Sequence, residues 1–140
     1  MKTKKTTQGV HIVNNIDGIG TPSAVGDKVF IRYTGYLENG DIFDTTEIPD
    51  RLPFSFVLGT NKVIKGWEDS ILGLRVGGKC TLIIPPELGY GDRGQGSIPS
   101  NSILLFDIEV TKIIKQIKDK MTKSFEKKSK IINKKLGREV

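Results

Sequence analysis

Apolar and polar residues alternate over several short stretches of this chain, and a period of two marks half-buried strands. Val10 to Asn14 is a brief β-like run. Between Lys28 and Leu37, the side chains of Val29, Ile31, Tyr33 and Leu37 share one face with Gly35 among them, while Arg32 and Thr34 point the other way. Glu38-Asn39-Gly40-Asp41 follows. Asn-Gly is the strongest short hairpin signal, so Ile42 to Thr45 is the predicted return strand. Phe54 to Leu58 reads as another strand. Cys80, Leu82 and Ile84 alternate in a strand stopped by Pro85-Pro86. Ile103 to Ile113 is the last, with Leu104, Phe106, Ile108 and Val110 on one face.

One segment changes period. Ile64, Trp67, Ile71 and Leu74 recur at helical spacing, and Gly73 with Gly77-Gly78 marks where that helix stops. Asp17 to Pro22 is turn chemistry. Residues 85–102 form a long loop rich in Gly, Pro and Ser, and such loops in compact domains are often functional. Five or six short strands and one short helix make an α+β domain, an antiparallel sheet packed on a helix.

The chain beyond Thr111 differs in kind. Ile114, Ile117, Met121, Phe125, Ile132 and Leu136 lie near helical spacing, Lys128 interrupts the stripe, and most other positions are lysine or polar. The pattern predicts a basic amphipathic helix that frays after Ser129.

Charge sharpens this division. The net charge of +6 is spread unevenly. Residues 112–140 carry eleven Lys/Arg against three acidic residues, a net of +8, and residues 1–7 add three lysines. Residues 8–111 carry a net of −5. Three segments follow: a basic, flexible N-terminus at 1–7, a mildly acidic body at 8–112, and a basic helical extension at 113–140. The extension has three candidate partners: an acidic protein, nucleic acid or an anionic membrane surface. The plain alternative is a solvated helix that keeps the protein soluble.

The chemistry-bearing residues exclude more than they offer. Cys80 is the single cysteine, so no internal disulfide forms, and with His11 as the single histidine a Cys/His metal site is implausible. A Ser-His or Cys-His nucleophile would have to use His11. Cys80 alternates with core residues and reads as a small buried hydrophobe. The polar N-terminus has no apolar core of a secretory signal, which leads to the expectation of a cytoplasmic or nuclear protein. Gly89-Tyr-Gly91-Asp-Arg-Gly94 matches a dinucleotide fingerprint in letters only. Pro85-Pro86 separates it from the preceding strand, and no helix opens at it.

Tyr33, Phe43, Phe54, Phe56, Trp67, Tyr90 and Phe106 come from separate elements. On spacing alone they are the core of a small domain. Their setting adds more. Val29-Phe-Ile-Arg-Tyr33-Thr-Gly-Tyr-Leu-Glu-Asn-Gly-Asp-Ile-Phe43-Asp44-Thr-Thr, Pro53-Phe54-Ser-Phe56-Val-Leu-Gly, Val63-Ile64-Lys-Gly-Trp67-Glu, Gly73-Leu-Arg-Val-Gly77, Ile84-Pro-Pro-Glu-Leu-Gly-Tyr90-Gly91, Ile98-Pro99 and Leu105-Phe106-Asp-Ile-Glu occur in order. In order and spacing they resemble the FKBP-type peptidyl-prolyl cis-trans isomerases, the macrolide-binding immunophilins, over roughly residues 8–112.

The resemblance implies a twisted antiparallel sheet wrapped around a short helix, with an apolar pocket between them. It implies an isomerase acting on X-Pro bonds in protein folding, without cofactor or metal, whose pocket also takes macrolides such as rapamycin and tacrolimus. Catalytic positions would be Tyr33, Phe43, Asp44, Trp67, Tyr90 and Phe106. Phe54, Val63, Ile64 and Ile98 would complete the ligand-binding wall, with Arg51 matching the arginine that often pairs with the pocket aspartate. Trp67 would be the floor, and the Ile64 amide and Tyr90 hydroxyl the polar handles. Thr45 to Leu52 is one residue longer than in short members and Tyr90 to Pro99 one shorter. Gln95 sits where many members carry histidine, and Ser97 where they carry an apolar residue. These changes touch the rim. The body reads as a monomer. Two other functions compete with the isomerase: a non-catalytic proline- or partner-binding module, and an adaptor tethered by its tail.

Overall fold

The computed structural model describes residues 3–137. Its strands are β1 (Lys4–Lys5), β2 (His11–Ile16), β3 (Lys28–Leu37), β4 (Ile42–Thr45), β5 (Phe54–Val57), β6 (Lys79–Ile84) and β7 (Leu104–Ile114). Helix α1 spans Lys65–Ile71 and helix α2 spans Ile117–Lys135. All strands join one antiparallel sheet in the order β1-β2-β6-β7-β3-β4, with β5 also paired to β3.

The alternating pattern is realised strand by strand. Val29, Ile31 and Tyr33 of β3 are buried, as are Cys80, Leu82 and Ile84 of β6 and Leu104, Phe106, Ile108 and Val110 of β7. These side chains face α1, whose Trp67 and Ile71 are buried against them. Gly66 permits the approach. A Cβ there would lie 2.7 Å from Ile84 Cγ2, so the helix reaches β6 only with glycine at that turn.

Strand β3 organises the site. One edge pairs with β7 along its whole length. The other edge is shared: β5 takes Lys28 to Ile31, and β4 takes Thr34 to Tyr36. Ile31 therefore sits opposite Phe54, and Gly35 lies between Asp44 on one side and Phe106 on the other. Buried Thr46 fixes the corner after β4, accepting from the Tyr33 amide at 2.8 Å while its own amide donates to the Tyr33 carbonyl at 2.8 Å.

Several boundaries differ from the sequence reading. Two lysines of the expected flexible N-terminus, Lys4 and Lys5, pair with Ile12 and His11. Ile114 ends β7 opposite Lys28, so it belongs to the sheet and not to the helical stripe. Helix α1 is shorter than its apolar stripe, because Ile64 precedes the first turn and Leu74 follows Gly73 at φ 92°. Helix α2 continues past Ser129 to Lys135. Its Phe125, Ile131, Ile132 and Leu136 are exposed. The side chains of Ile117 and Met121 lie outside the described set, as do residues 1–2 and 138–140.

The junction between β7 and α2 is clasped by a buried carboxylate. Asp27 is 2% exposed. It accepts from the amides of Ala24 at 2.9 Å and Gln116 at 3.0 Å, and it pairs with the Lys115 ammonium. Lys115 also donates to the Pro22 carbonyl at 2.9 Å. Burial alone would push the Asp27 carboxyl up. The Lys115 and backbone hydrogen bonds outweigh it and hold the carboxyl below the usual 3.8. A depressed folded value means that the stabilisation is complete above the unfolded pKa and is lost as pH falls through the folded one.

We expect Asp27→Ala to lower unfolding stability by about 2–3 kcal/mol at pH 7, since two amides lose their acceptor and Lys115 its partner. In urea titrations the gap between wild type and variant should narrow as pH falls below the ordinary carboxylate range and through the depressed native value.

Candidate active site

Between α1 and the β3–β4–β5–β7 part of the sheet lies a cavity of about 230 Å³. Its wall is aromatic on the sheet side, from Tyr33, Phe43, Phe54 and Phe106. Trp67 comes from α1, Val63 and Ile64 from the turn before it, and Tyr90 from the long loop. Asp44 and Lys62 are the charged residues of the lining. A larger hollow of about 320 Å³ lies on the other face of the sheet, where Arg32, Glu47, Lys79, Asp107 and Glu109 set opposite charges side by side. The aromatic cavity is the one suited to an apolar ring.

The rings interlock edge to face. Trp67 is 4.9 Å from Tyr33 at 86° and 5.2 Å from Phe106 at 77°, centroid to centroid. Phe43 meets Phe106 at 5.4 Å and 86°. Such geometry sets the positive edge of one ring on the negative face of another, which fixes each orientation. Gly35 makes room for this. A Cβ at that position would lie 2.5 Å from Phe43 Cζ and 2.9 Å from Phe106 Cε1. The Trp67 Nε1 is buried and makes no hydrogen bond within the described residues.

One polar group on the sheet side is fully engaged. Tyr33 Oη donates to Asp44 Oδ2, and Arg51 Nη1 donates to Asp44 Oδ1 at 2.8 Å and to the Thr45 carbonyl at 2.6 Å. Burial pushes Asp44 up, but the hydrogen bonds from Tyr33 and Arg51 and the guanidinium charge hold it below 3.8. Burial, followed by the Asp44 hydrogen bond, pushes the Tyr33 hydroxyl well above its usual range. Burial likewise raises Tyr90, with the Asp44 charge adding to it. At neutral pH the site therefore holds a carboxylate and two neutral phenols.

The polar handles on the opposite side are free. Among the described residues, the Tyr90 hydroxyl and the Ile64 amide make no hydrogen bond, whereas the Ile64 carbonyl accepts from the amides of Trp67 and Glu68. Tyr90 is held in place by its loop: Pro86 to Leu88 form a single 3₁₀ turn, the Gly91 amide donates to the Pro86 carbonyl at 2.8 Å, and the Asn101 amide to Gly91 at 2.8 Å. Gly89 to Gly94 thus belong to a turn with no helix behind it.

Nine of the eleven residues named from the sequence converge on this cavity. Arg51 stands behind the lining as the partner of Asp44. Ile98 is 6% exposed and packs in the core, outside the lining set. Cys80 is buried, which pushes its thiol up to about 11. The sequence reading missed Lys62. Its position immediately before Val63-Ile64 was the available signal.

A family model for FKBP-type peptidyl-prolyl cis-trans isomerases matches residues 20–111. The chain belongs to this family. It is 42% identical to FK506-binding protein 1 of Aspergillus oryzae, over 69% of this chain and 90% of that one. It is 44% identical to FK506-binding protein 4 of Neurospora crassa, over 79% of this chain but 23% of that relative. The chain therefore spans less than a third of the length of the larger fungal relatives it matches. The crystal structure of AtFKBP13 superposes with a TM-score of 0.71 at 38% identity, covering 80% of this chain and 98% of that one. FkpA from Escherichia coli gives 0.72 at 35% identity, covering 80% and 51%. The FKBP fold places its sheet around α1, as the motifs implied.

Gly35→Ala should displace Phe43 and Phe106 and cost about 1–3 kcal/mol from overpacking. The expected readout is a lower unfolding midpoint with altered near-ultraviolet circular dichroism.

Proposed function

We propose that this protein catalyses cis-trans rotation about X-Pro peptide bonds, with the proline ring seated over Trp67. One observation carries the reading: an aromatic cavity closed on the floor by Trp67, with engaged polar groups on one wall and free ones on the other.

The reaction asks for no bond cleavage. Amide resonance sets a rotational barrier of about 18–20 kcal/mol, and uncatalysed exchange takes tens to hundreds of seconds. A catalyst has only to bind the twisted amide better than either planar form. The planar amide is the more dipolar, so removal from water costs it more. An apolar wall of Phe43, Phe54, Trp67 and Phe106 supplies that environment, and gripping the ring supplies orientation. Each 1.36 kcal/mol of differential binding is tenfold in rate, so about 5–7 kcal/mol gives a large acceleration.

The polar residues then have positioning roles. The Ile64 amide and Tyr90 hydroxyl take the carbonyls of the bound peptide. Asp44, locked by Tyr33 and Arg51, supplies a fixed negative charge beside the rotating bond. None of these groups exchanges a proton with substrate. The same handles and walls suit a macrolide, and the FK506-binding names of the relatives support that extension.

A second reading concerns location. The exposed Phe125, Ile131, Ile132 and Leu136 of a lysine-rich helix favour a tail that tethers the domain to an anionic partner. Removing residues 117–140 should then change location while leaving X-Pro turnover as it was.

Three results are expected. With a neutral X-Pro peptide, kcat/KM should stay flat between about pH 6 and 9, since the folded Asp44 titrates below and Tyr33 and Tyr90 above that window. A general acid or base in the mechanism would instead give a sloping or bell-shaped profile. Phe43→Ala should lower kcat/KM by about ten- to a hundredfold in the same assay. Rapamycin should abolish turnover and shift the fluorescence of Trp67, the single tryptophan of the chain; binding of the drug without any turnover would favour a non-catalytic proline-binding module.

A further inference from the structure

The charge balance of the cavity leaves one group uncompensated. Asp44 is engaged on both oxygens, by Tyr33 and by Arg51. Lys62 lines the same cavity and, among the described residues, forms no ion pair. The rim therefore presents one free positive charge beside an otherwise balanced wall.

The loop that carries this lysine is fixed at its base. The Leu58 amide donates to the Asp27 carbonyl at 3.0 Å, and the Gly59 amide to Glu68 Oε2 at 2.7 Å. Thr60 Oγ1 donates to the Val57 carbonyl at 2.7 Å. Two residues beyond Lys62 comes Ile64, whose free amide faces an incoming peptide in the reading above. In that reading a chain with its proline over Trp67 and a carbonyl on the Ile64 amide runs past Lys62, which lines the same cavity.

We propose that Lys62 gives this pocket a preference for peptides with an acidic residue adjacent to the proline. The proposal rests on the isomerase reading of the cavity and adds the substrate class. An ammonium at the rim attracts a neighbouring carboxylate and repels a second ammonium, and the aromatic wall lowers the local dielectric that screens them. The lysine is exposed, so the attraction has the size of a surface ion pair and weakens with salt.

The test uses the full chain and a peptide panel carrying Glu, Gln or Lys immediately before the proline, and a second panel carrying them immediately after. Turnover and the fluorescence of Trp67 on titration are read in parallel. In at least one panel, Glu should be favoured over Lys by about three- to fivefold in kcat/KM and in affinity at low salt. The ratio should approach one at about 1 M salt, where the screening length is about 3 Å. Lys62→Gln should remove the preference and Lys62→Glu should invert it. Each ratio is taken within one variant, so an overall loss of activity does not blur it. A Glu/Lys ratio that is the same in wild type and Lys62→Glu, in both panels, overturns the proposal and leaves the isomerase reading intact. Charge-selective binding without turnover supports Lys62 and overturns the isomerase reading. Neither binding nor turnover of any peptide overturns both.

Discussion

The packing of Trp67 against β3 and β7 is the contact on which the rest of the structure turns. A seven-residue helix has little stability of its own. It persists here because Trp67 and Ile71 bury against the paired central strands, and removing a buried tryptophan of this kind typically costs about 3–5 kcal/mol. The same indole meets Tyr33 and Phe106 edge to face, so the contact that holds the helix also closes the floor of the cavity. Gly66 and Gly35 are the concessions it requires: one lets the helix reach β6, the other lets Phe43 and Phe106 cross β3.

From that contact the site's chemistry follows. The sheet delivers aromatic side chains from four strands because β3 shares one edge between β5 and β4 and gives the other to β7. The Tyr33–Asp44–Arg51 chain then settles the acidic side chain on that wall, Asp44, as a carboxylate. What remains is an apolar hollow with a fixed charge distribution. Such a hollow suits a reaction that changes a dipole and makes or breaks no bond.

Much of this was legible in the sequence, for reasons that can be named. Buried alternation in β3, β6 and β7 is strong because each strand has one face on the core. The Asn39-Gly40 turn announced the hairpin. Local pattern failed where side chains do not decide. Lys4 and Lys5 join the sheet through backbone pairing alone, which leaves no apolar signature. Ile114 fits a helical stripe by spacing, yet a register shift in the β3–β7 ladder keeps it in the strand opposite Lys28. The apolar spacing around Ile64 and Leu74 overstated α1, since positions flanking a helix can pack on the same core. For the cavity, periodicity gave only a set of core aromatics. Family motifs turned the set into a wall. Lys62 escaped both routes, as a charged residue in a polar loop carries no period, and its importance comes from the balance of charges around it.

In the proposed reaction, rotation is driven by the pocket's environment and grip, with no proton in flight. The solvent deuterium isotope effect on kcat/KM for a neutral X-Pro peptide tests this most directly. Measurable turnover with an effect close to one is expected. An effect of about two or more, growing linearly with deuterium content, would mean that a proton moves in the rate-limiting step. That result would rule out a purely environmental mechanism and return Asp44 and Tyr90 to acid–base chemistry.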